Sequence, residues 1–272
     1  MSRFEEPRLV LAGSFRSGRL WLLQFLVNPI LAGLFAAWLL IPEAKLWQLA
    51  FNVLLAVVIV AAALLLHAGT LNYFSDQFRG QPPVAIKTAF GRALRNFAPI
   101  VVCAVVFYLV WTLSGGLVVY QETFLTYVRS MLPGAVRQHI SLGLLTVSFD
   151  VLVFLLQWVA VPGLLLPLTL RAADQGFRGF GRSGWKTWRI TIASVQYWLI
   201  LAVAALLGVY GSNTLLGWRP SSESPTFAGE TANLVLRMVL AYGLGLFSWM
   251  VACSLIGRRA GSAQNVAGDS TA

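Results

Sequence analysis

The sequence predicts an all-α polytopic membrane protein with six transmembrane helices, and three observations carry that prediction. Hydrophobic residues make up 58% of the 272-residue chain and charged residues 11%, against about 25% charged in a soluble domain. Six segments, at 20–41, 46–68, 99–120, 146–168, 191–211 and 234–256, approach or exceed the ~20 apolar residues a helix needs to cross ~30 Å of hydrocarbon. Runs such as NVLLAVVIVAAALLL do not alternate between apolar and polar residues, so the strands of a transmembrane barrel are excluded.

The basic residues set the topology. Fifteen of the twenty Lys and Arg residues fall on the N-terminal segment, on 69–98, on 170–190 and at Arg258 and Arg259. Such an excess marks the cytoplasmic side, so both termini are expected there, in a bacterial inner membrane crossed an even number of times. The net charge of +10 is read as this topology signal, and no nucleic-acid partner is expected from it. The first span, nineteen residues in, is long enough to stay inserted, and no cleavable signal or lipidation motif is evident.

Taken in order, the N-terminal segment places Phe4, Val10, Leu11 and Phe15 among Arg8, Arg16 and Arg19, the pattern of a basic amphipathic helix ahead of span one. Glu5 and Glu6 read as a solvated cap. Gln24 and Asn28 in span one are four apart and share a helix face, and Pro29 predicts a kink because it frees a backbone carbonyl. Span two carries Asn52, with His67 at its cytoplasmic end. VAIKTAFGRALRNF then predicts an amphipathic helix: Ile86, Phe90, Ala93, Leu94 and Phe97 alternate with Lys87, Arg92 and Arg95, and Pro82-Pro83 suit its start. The outer stretch 121–140 contains FLTYVRSML, which fits an interfacial helix or a shallow re-entrant segment.

Span four contains Asp150 and Gln157, and span six contains Arg237. Asp150 lies 21 residues before Arg171 and Arg237 lies 21 before Arg258, roughly 31 Å at helical rise in each case. The two are expected at one level and read as an ion pair, since intramembrane charges tend to pair; a role in transport is the other reading of the acid. Trp185, Trp188 and Ile192 with Arg182, Lys186 and Arg189 predict another basic amphipathic helix before span five. The second outer loop is Pro/Ser-rich and expected to be irregular, and 258–272 is expected to be a disordered cytoplasmic tail. Cys103 and Cys253 lie inside spans and are expected to be buried thiols.

FRGQPPVAIKT at 78–88 returns as FRGFGRSGWKT at 177–187. Asp76-Gln77 precedes the first copy and Asp174-Gln175 the second, one residue out of register. We read this as an internal repeat of a cytoplasmic elbow, with Gly80 or Gly179 making a turn. It divides a single domain, 1–257, into units 1–68, 69–168 and 169–257, each an interfacial helix and two spans. Arg79, Lys87, Arg92, Arg95, Arg178, Arg182, Lys186 and Arg189 are then candidate contacts for anionic lipid headgroups. Gln24, Asn28, Asn52 and Gln157 are mid-depth amides that either bond across helices or line a polar path.

The loop FRGQPPVAIKTAFGRALRNF, with six spans and basic segments before the odd-numbered ones, resembles uncharacterised bacterial six-span membrane families. Among these is the membrane domain sometimes fused to glycerophosphodiester phosphodiesterases. The resemblance implies the six-span fold and carries no catalytic residue onto this sequence. His67 and His139 are expected on opposite sides of the membrane, and neither metal-ligand spacing nor a cofactor motif is present, so no cofactor is expected. The expectation is a non-enzymatic inner-membrane protein acting through lipid contact or as a membrane partner, with a protein partner or a second copy of itself as the candidate associates. The alternative is a transporter or channel subunit for a small solute or lipid.

Overall fold

A computed structural model describes residues 5–42, 45–80, 85–218 and 226–269. Among them every regular element is helical, and six segments are long and apolar enough to cross a membrane: Gly18–Leu39, Leu46–Phe78, Phe97–Met131, Leu142–Phe180, Val195–Gly217 and Phe227–Ser262. The chain is an all-α polytopic membrane protein. Pro82, Pro83 and most of the second outer loop lie outside the described residues.

Three helices outrun the expected spans at one end. Helix α1 (Glu5–Phe15) precedes α2 (Gly18–Leu39), and α3 runs unbroken over Leu46–Phe78. At 1.5 Å per residue α3 is roughly 50 Å long, well beyond the hydrocarbon thickness. Its final turns are stabilised because Asn72, Phe74, Ser75 and Asp76 are all buried there. Around this end, which we call the basic end, stand α4 (Ile86–Arg95), the start of α5 (Phe97–Gly116) and the end of α9 (Val161–Gln175). They are joined there by α10 (Arg182–Ile192) and the last turns of α13 (Phe227–Asp269). The opposite end carries α6 (Gln121–Met131) and α7 (Gly134–His139) before α8 (Leu142–Phe154), and α12 (Ser212–Gly217), which continues α11 (Val195–Ala205).

The core is concentrated at the basic end. Val10, Leu71, Phe74, Leu170, Met250 and Ile256 have no exposed surface and belong to one apolar cluster. Helix α2, in contrast, turns Leu22, Phe25, Leu26 and Ile30 outward, as a lipid-facing helix does. Two expectations change here. The segment after residue 257 is helical through Asp269 rather than a disordered tail, because Arg258 and Arg259 engage α1. Glu6, expected as a solvated cap, is buried; its carboxylate accepts from Arg259 and its carbonyl from Arg258 at 3.0 Å. Ser254 Oγ donates to the Val10 carbonyl at 2.8 Å and completes the seam between α1 and α13.

The span prolines explain the tyrosines. A proline inside a helix lacks the N–H that would bond the carbonyl four residues earlier. Pro29 in α2 therefore frees the Phe25 carbonyl, and the Tyr242 hydroxyl of α13 donates to it at 3.3 Å and to Gln24 O at 3.2 Å. Pro167 in α9 frees the Gly163 carbonyl, which takes the hydroxyl of the fully buried Tyr197 of α11 at 2.7 Å. A Cβ on Gly163 would meet the Trp198 ring at 2.5 Å, so the approach of α11 requires glycine there. Pro162 follows a π-helical stretch, Leu155–Ala160, the adjustment a helix makes where its bonding ladder is interrupted.

Tyr197→Phe should therefore lower stability by about 1 kcal/mol, the scale of one interhelical hydrogen bond with an orphaned carbonyl left behind. Tyr210→Phe, at a residue 63% exposed, should be close to neutral. Thermal unfolding of the two variants in detergent checks the difference.

Candidate functional site: a charge clamp above an apolar chamber

The two Asp-Gln pairs noted in the sequence converge at the basic end. Asp76 is on the last turns of α3 and Asp174 on the last turn of α9, and two arginines bridge them. Arg79 donates to Asp174 at 2.7 Å and lies 3.7 Å from Asp76. Arg92, from α4, donates to Asp174 at 2.6 Å through one guanidinium nitrogen and to Asp76 through the other. Each carboxylate thus meets both cations in a closed ring with no net charge. The side chains are between 8% and 24% exposed, so the pairing is screened far less than a surface pair would be.

Amides fix the backbone around this ring. Asn72 Nδ2 donates to the carbonyls of Ala89 at 3.2 Å and Ala173 at 3.3 Å, and Asn96 donates to Ala173 O at 2.9 Å. Gln77 of the first pair turns the other way. Its Nε2 donates to Gly13 O at 3.2 Å and its Oε1 accepts from Ser17 at 3.1 Å, which ties the elbow between α1 and α2.

The two FRG copies differ because of one inserted glycine. Gly80 follows Arg79 with φ +71°, so α3 ends after Arg79 has turned back onto Asp76. In the second copy Gly176, at φ +66°, ends α9 before the Phe-Arg-Gly, and the following Gly176–Phe180 turn carries Arg178 outward. The turn expected at Gly179 is made by Gly176. Arg79 and Arg178 share one end of the bundle, yet Arg79 is in the clamp and Arg178 is exposed. Of the eight basic residues expected at headgroups, Arg79 and Arg92 are committed to the carboxylates. Lys87, Arg95, Arg178, Arg182, Lys186 and Arg189 are exposed around the same end.

Below the clamp lies a cavity of about 980 Å³ bounded by α3, α5, α9, α11, α12 and α13. Asp76 is five residues past the lining Leu71 and Asp174 five past the lining Thr169, so the clamp stands roughly 7.5 Å beyond the chamber wall. Leu71 and Ile100 close that end with no exposed surface, whereas Tyr108 at the other is 68% exposed. The chamber follows α5 from Ile100 to Trp111, roughly 17 Å. Its volume is at the upper end of the ~300–1,000 Å³ range of small-molecule pockets.

His67 stands on this wall, not at the end of its helix as expected, because α3 continues for eleven residues beyond it. The mid-depth amides do not form one path. Gln24 Nε2 donates to Thr70 Oγ1 at 2.7 Å and Asn28 Nδ2 to Gln24 Oε1 at 2.7 Å. Asn52 is packed where its carbonyl accepts from Trp38 Nε1 at 3.0 Å, and Gln157 sits in the π-helical stretch near Gly115. The expected Asp150–Arg237 pair does not form. Asp150 is exposed and accepts from Gln121 at 2.8 Å, while Arg237 donates to the carbonyls of Leu216, at 3.2 Å, and Trp218. Equal depth places two residues on one plane without facing them towards each other.

Asp174→Ala should cost about 3 kcal/mol, because it leaves two guanidiniums to one carboxylate in a partly buried ring. Asp150→Ala should change stability by less than about 0.5 kcal/mol. Gly176→Ala should cost about 1–3 kcal/mol, since φ +66° with ψ −147° is backbone that only glycine adopts without strain. Thermal unfolding of the three variants separates these magnitudes. No family model, curated protein or solved structure matches this chain, so its function is argued from the chemistry of the clamp, the collar of free cations and the chamber.

Proposed function

We propose that the chain is a non-catalytic integral membrane protein that works through lipid contact, gathering anionic headgroups at its basic end. That end is taken to be the cytoplasmic face of a bacterial inner membrane, with both termini on it. The observation that carries this reading is the collar of six exposed cations: Lys87, Arg95, Arg178, Arg182, Lys186 and Arg189. They are interspersed with exposed apolar side chains, Leu94, Phe177, Phe180 and Trp185. A surface of that composition suits the boundary between headgroups and acyl chains, where each basic residue contributes about 1 kcal/mol of attraction to anionic lipid. The Trp185 and Trp188 rings stack at 4.5 Å, and Trp188 Nε1 donates to Leu164 O at 2.8 Å, which holds α10 against α9.

The clamp supports the same reading by what it removes. Arg79 and Arg92 neutralise Asp76 and Asp174, so these two carboxylates do not oppose the outward cations. A small-solute carrier built on Gln24, Asn28, Asn52 and Gln157 is the weaker reading: none of the four lines the chamber, and Asn28 without the other three lines a smaller cavity of about 460 Å³ beside Tyr242.

Lys186→Gln combined with Arg189→Gln should weaken retention of phosphatidylglycerol roughly thirtyfold at low salt, at about 1 kcal/mol per charge, and leave phosphatidylcholine unchanged. Raising the salt should shrink the difference. Native mass spectrometry of the detergent-purified chain with each lipid reads the outcome. Equal retention by the parent and the variant would remove the collar from lipid binding.

A further inference from the structure

We propose that the outward row of cations on α10 is the binding site for one lipid that carries two phosphates on a short polar bridge. The inference rests on the headgroup reading of the collar and deepens it, by naming the lipid class and the helix that selects it.

Helix α10 is a fixed platform. Its Gly184, Thr187 and Thr191 are buried, and the helix packs against α9 and α13. A Cβ on Gly184 would meet the Gly179 carbonyl at 1.8 Å, so glycine lets the helix start settle on the preceding turn. The bond from Trp188 Nε1 to the Leu164 carbonyl anchors its middle. Ser194, just past its end, accepts from Arg259 at 2.7 Å.

Arg182, Lys186 and Arg189 occupy the face opposite those buried residues, and all three are exposed. At 3.6 residues per turn they fall within about 60° of arc, and at 1.5 Å per residue they span roughly 10 Å. The one acid between residues 170 and 194 is Asp174, which is held in the clamp. Among the described residues none of the three cations takes part in an ion pair. Like charges one turn apart repel, so the row is unfavourable until an anion spans it. Helix α4 presents no such row, because Arg92, between Lys87 and Arg95, is turned into the clamp.

The surroundings of the row specify a lipid, and its length specifies two phosphates. Trp185 and Trp188 stack on one flank of the row, Trp185 is 53% exposed, and span α11 begins three residues after α10 ends. Acyl chains beside the indoles leave the phosphates level with the cations, as at a headgroup boundary. A lipid with one phosphate covers part of the row, and a second molecule must be recruited separately. Two phosphates on one short bridge engage the row together. The second contact is then intramolecular, which raises avidity by ~10²–10⁴ when the bridge matches the span.

The test is native mass spectrometry of the full chain in detergent, with tetraoleoyl cardiolipin and dioleoyl phosphatidylglycerol added separately. One cardiolipin per chain should be retained at least roughly tenfold more tightly than phosphatidylglycerol. Arg182→Gln combined with Arg189→Gln removes both ends of the row and should abolish that preference. Lys45→Gln combined with Arg129→Gln makes the same change in net charge away from the basic end and should preserve it. Equal retention of the two lipids by the parent would overturn the assignment, as would a preference that survives in the Arg182/Arg189 variant. Loss of the preference in the Lys45/Arg129 variant would assign it to net charge and overturn the site equally. The collar fails separately, when phosphatidylglycerol is held equally by the parent and the Lys186/Arg189 variant. If that variant loses phosphatidylglycerol and the parent shows no cardiolipin preference, the collar stands and the two-phosphate site falls.

Discussion

Two carboxylates and two guanidiniums, closed into a ring at one end of the bundle, constrain the rest of this structure. Asp76 and Asp174 end two helices that enter the apolar region side by side, and Arg92 arrives from a helix that crosses between them. A charge in that position is tolerable only when paired, and removing any member leaves its partners partly buried without compensation. The ring therefore fixes the register of α3 against α9 and seats α4 on both. The extra turns of α3, α9 and α13 follow from the same constraint: helices that must reach a common charge cluster and a common core continue past the hydrocarbon until they meet.

That arrangement separates two kinds of basic residue which look alike in the sequence. Arg79 and Arg178 each follow a phenylalanine and precede a glycine, but the single residue Gly176 sends them to different environments. The inserted glycine terminates α9 two residues earlier relative to its Phe-Arg-Gly, so the second arginine faces outward while the first faces Asp174. The one-residue slip between the two Asp-Gln pairs was the visible trace of this difference. Those pairs carried more information than the Phe-Arg-Gly they precede, since Asp76 and Asp174 are the members of the two copies that meet.

Class and span number were legible in the sequence because hydrocarbon thickness imposes a length on each apolar run, and composition reports that length directly. The candidate site was legible only in part. Matching Asp150 to Arg237 by depth assumes an uninterrupted rise of about 1.5 Å per residue and ignores azimuth; the π-helical stretch 155–160 lies between Asp150 and its anchor Arg171 and alters both. Gln121, arriving from the span-three side, then occupies the acid. Tyr242 and Tyr197 carry no signal of their own in the sequence, and each has a specific task only once a proline's freed carbonyl is located. His67 reads as a helix end because the apolar run stops at residue 68, although the helix continues to Phe78 through turns whose polar residues are buried by other helices rather than by lipid.

The same extension accounts for the chamber. Spanning helices held together strongly at one end need not pack along their full length, and here the buried core thins away from the clamp while the aromatic side chains of α5 and of the π-helical stretch 155–160 line a gap with α12 on its other wall. In water such a gap would collapse, because burying its apolar walls would be favourable. In hydrocarbon the walls are already in a compatible solvent, and no comparable force closes them. A rigid end and an unfilled middle are thus consequences of one design in a membrane.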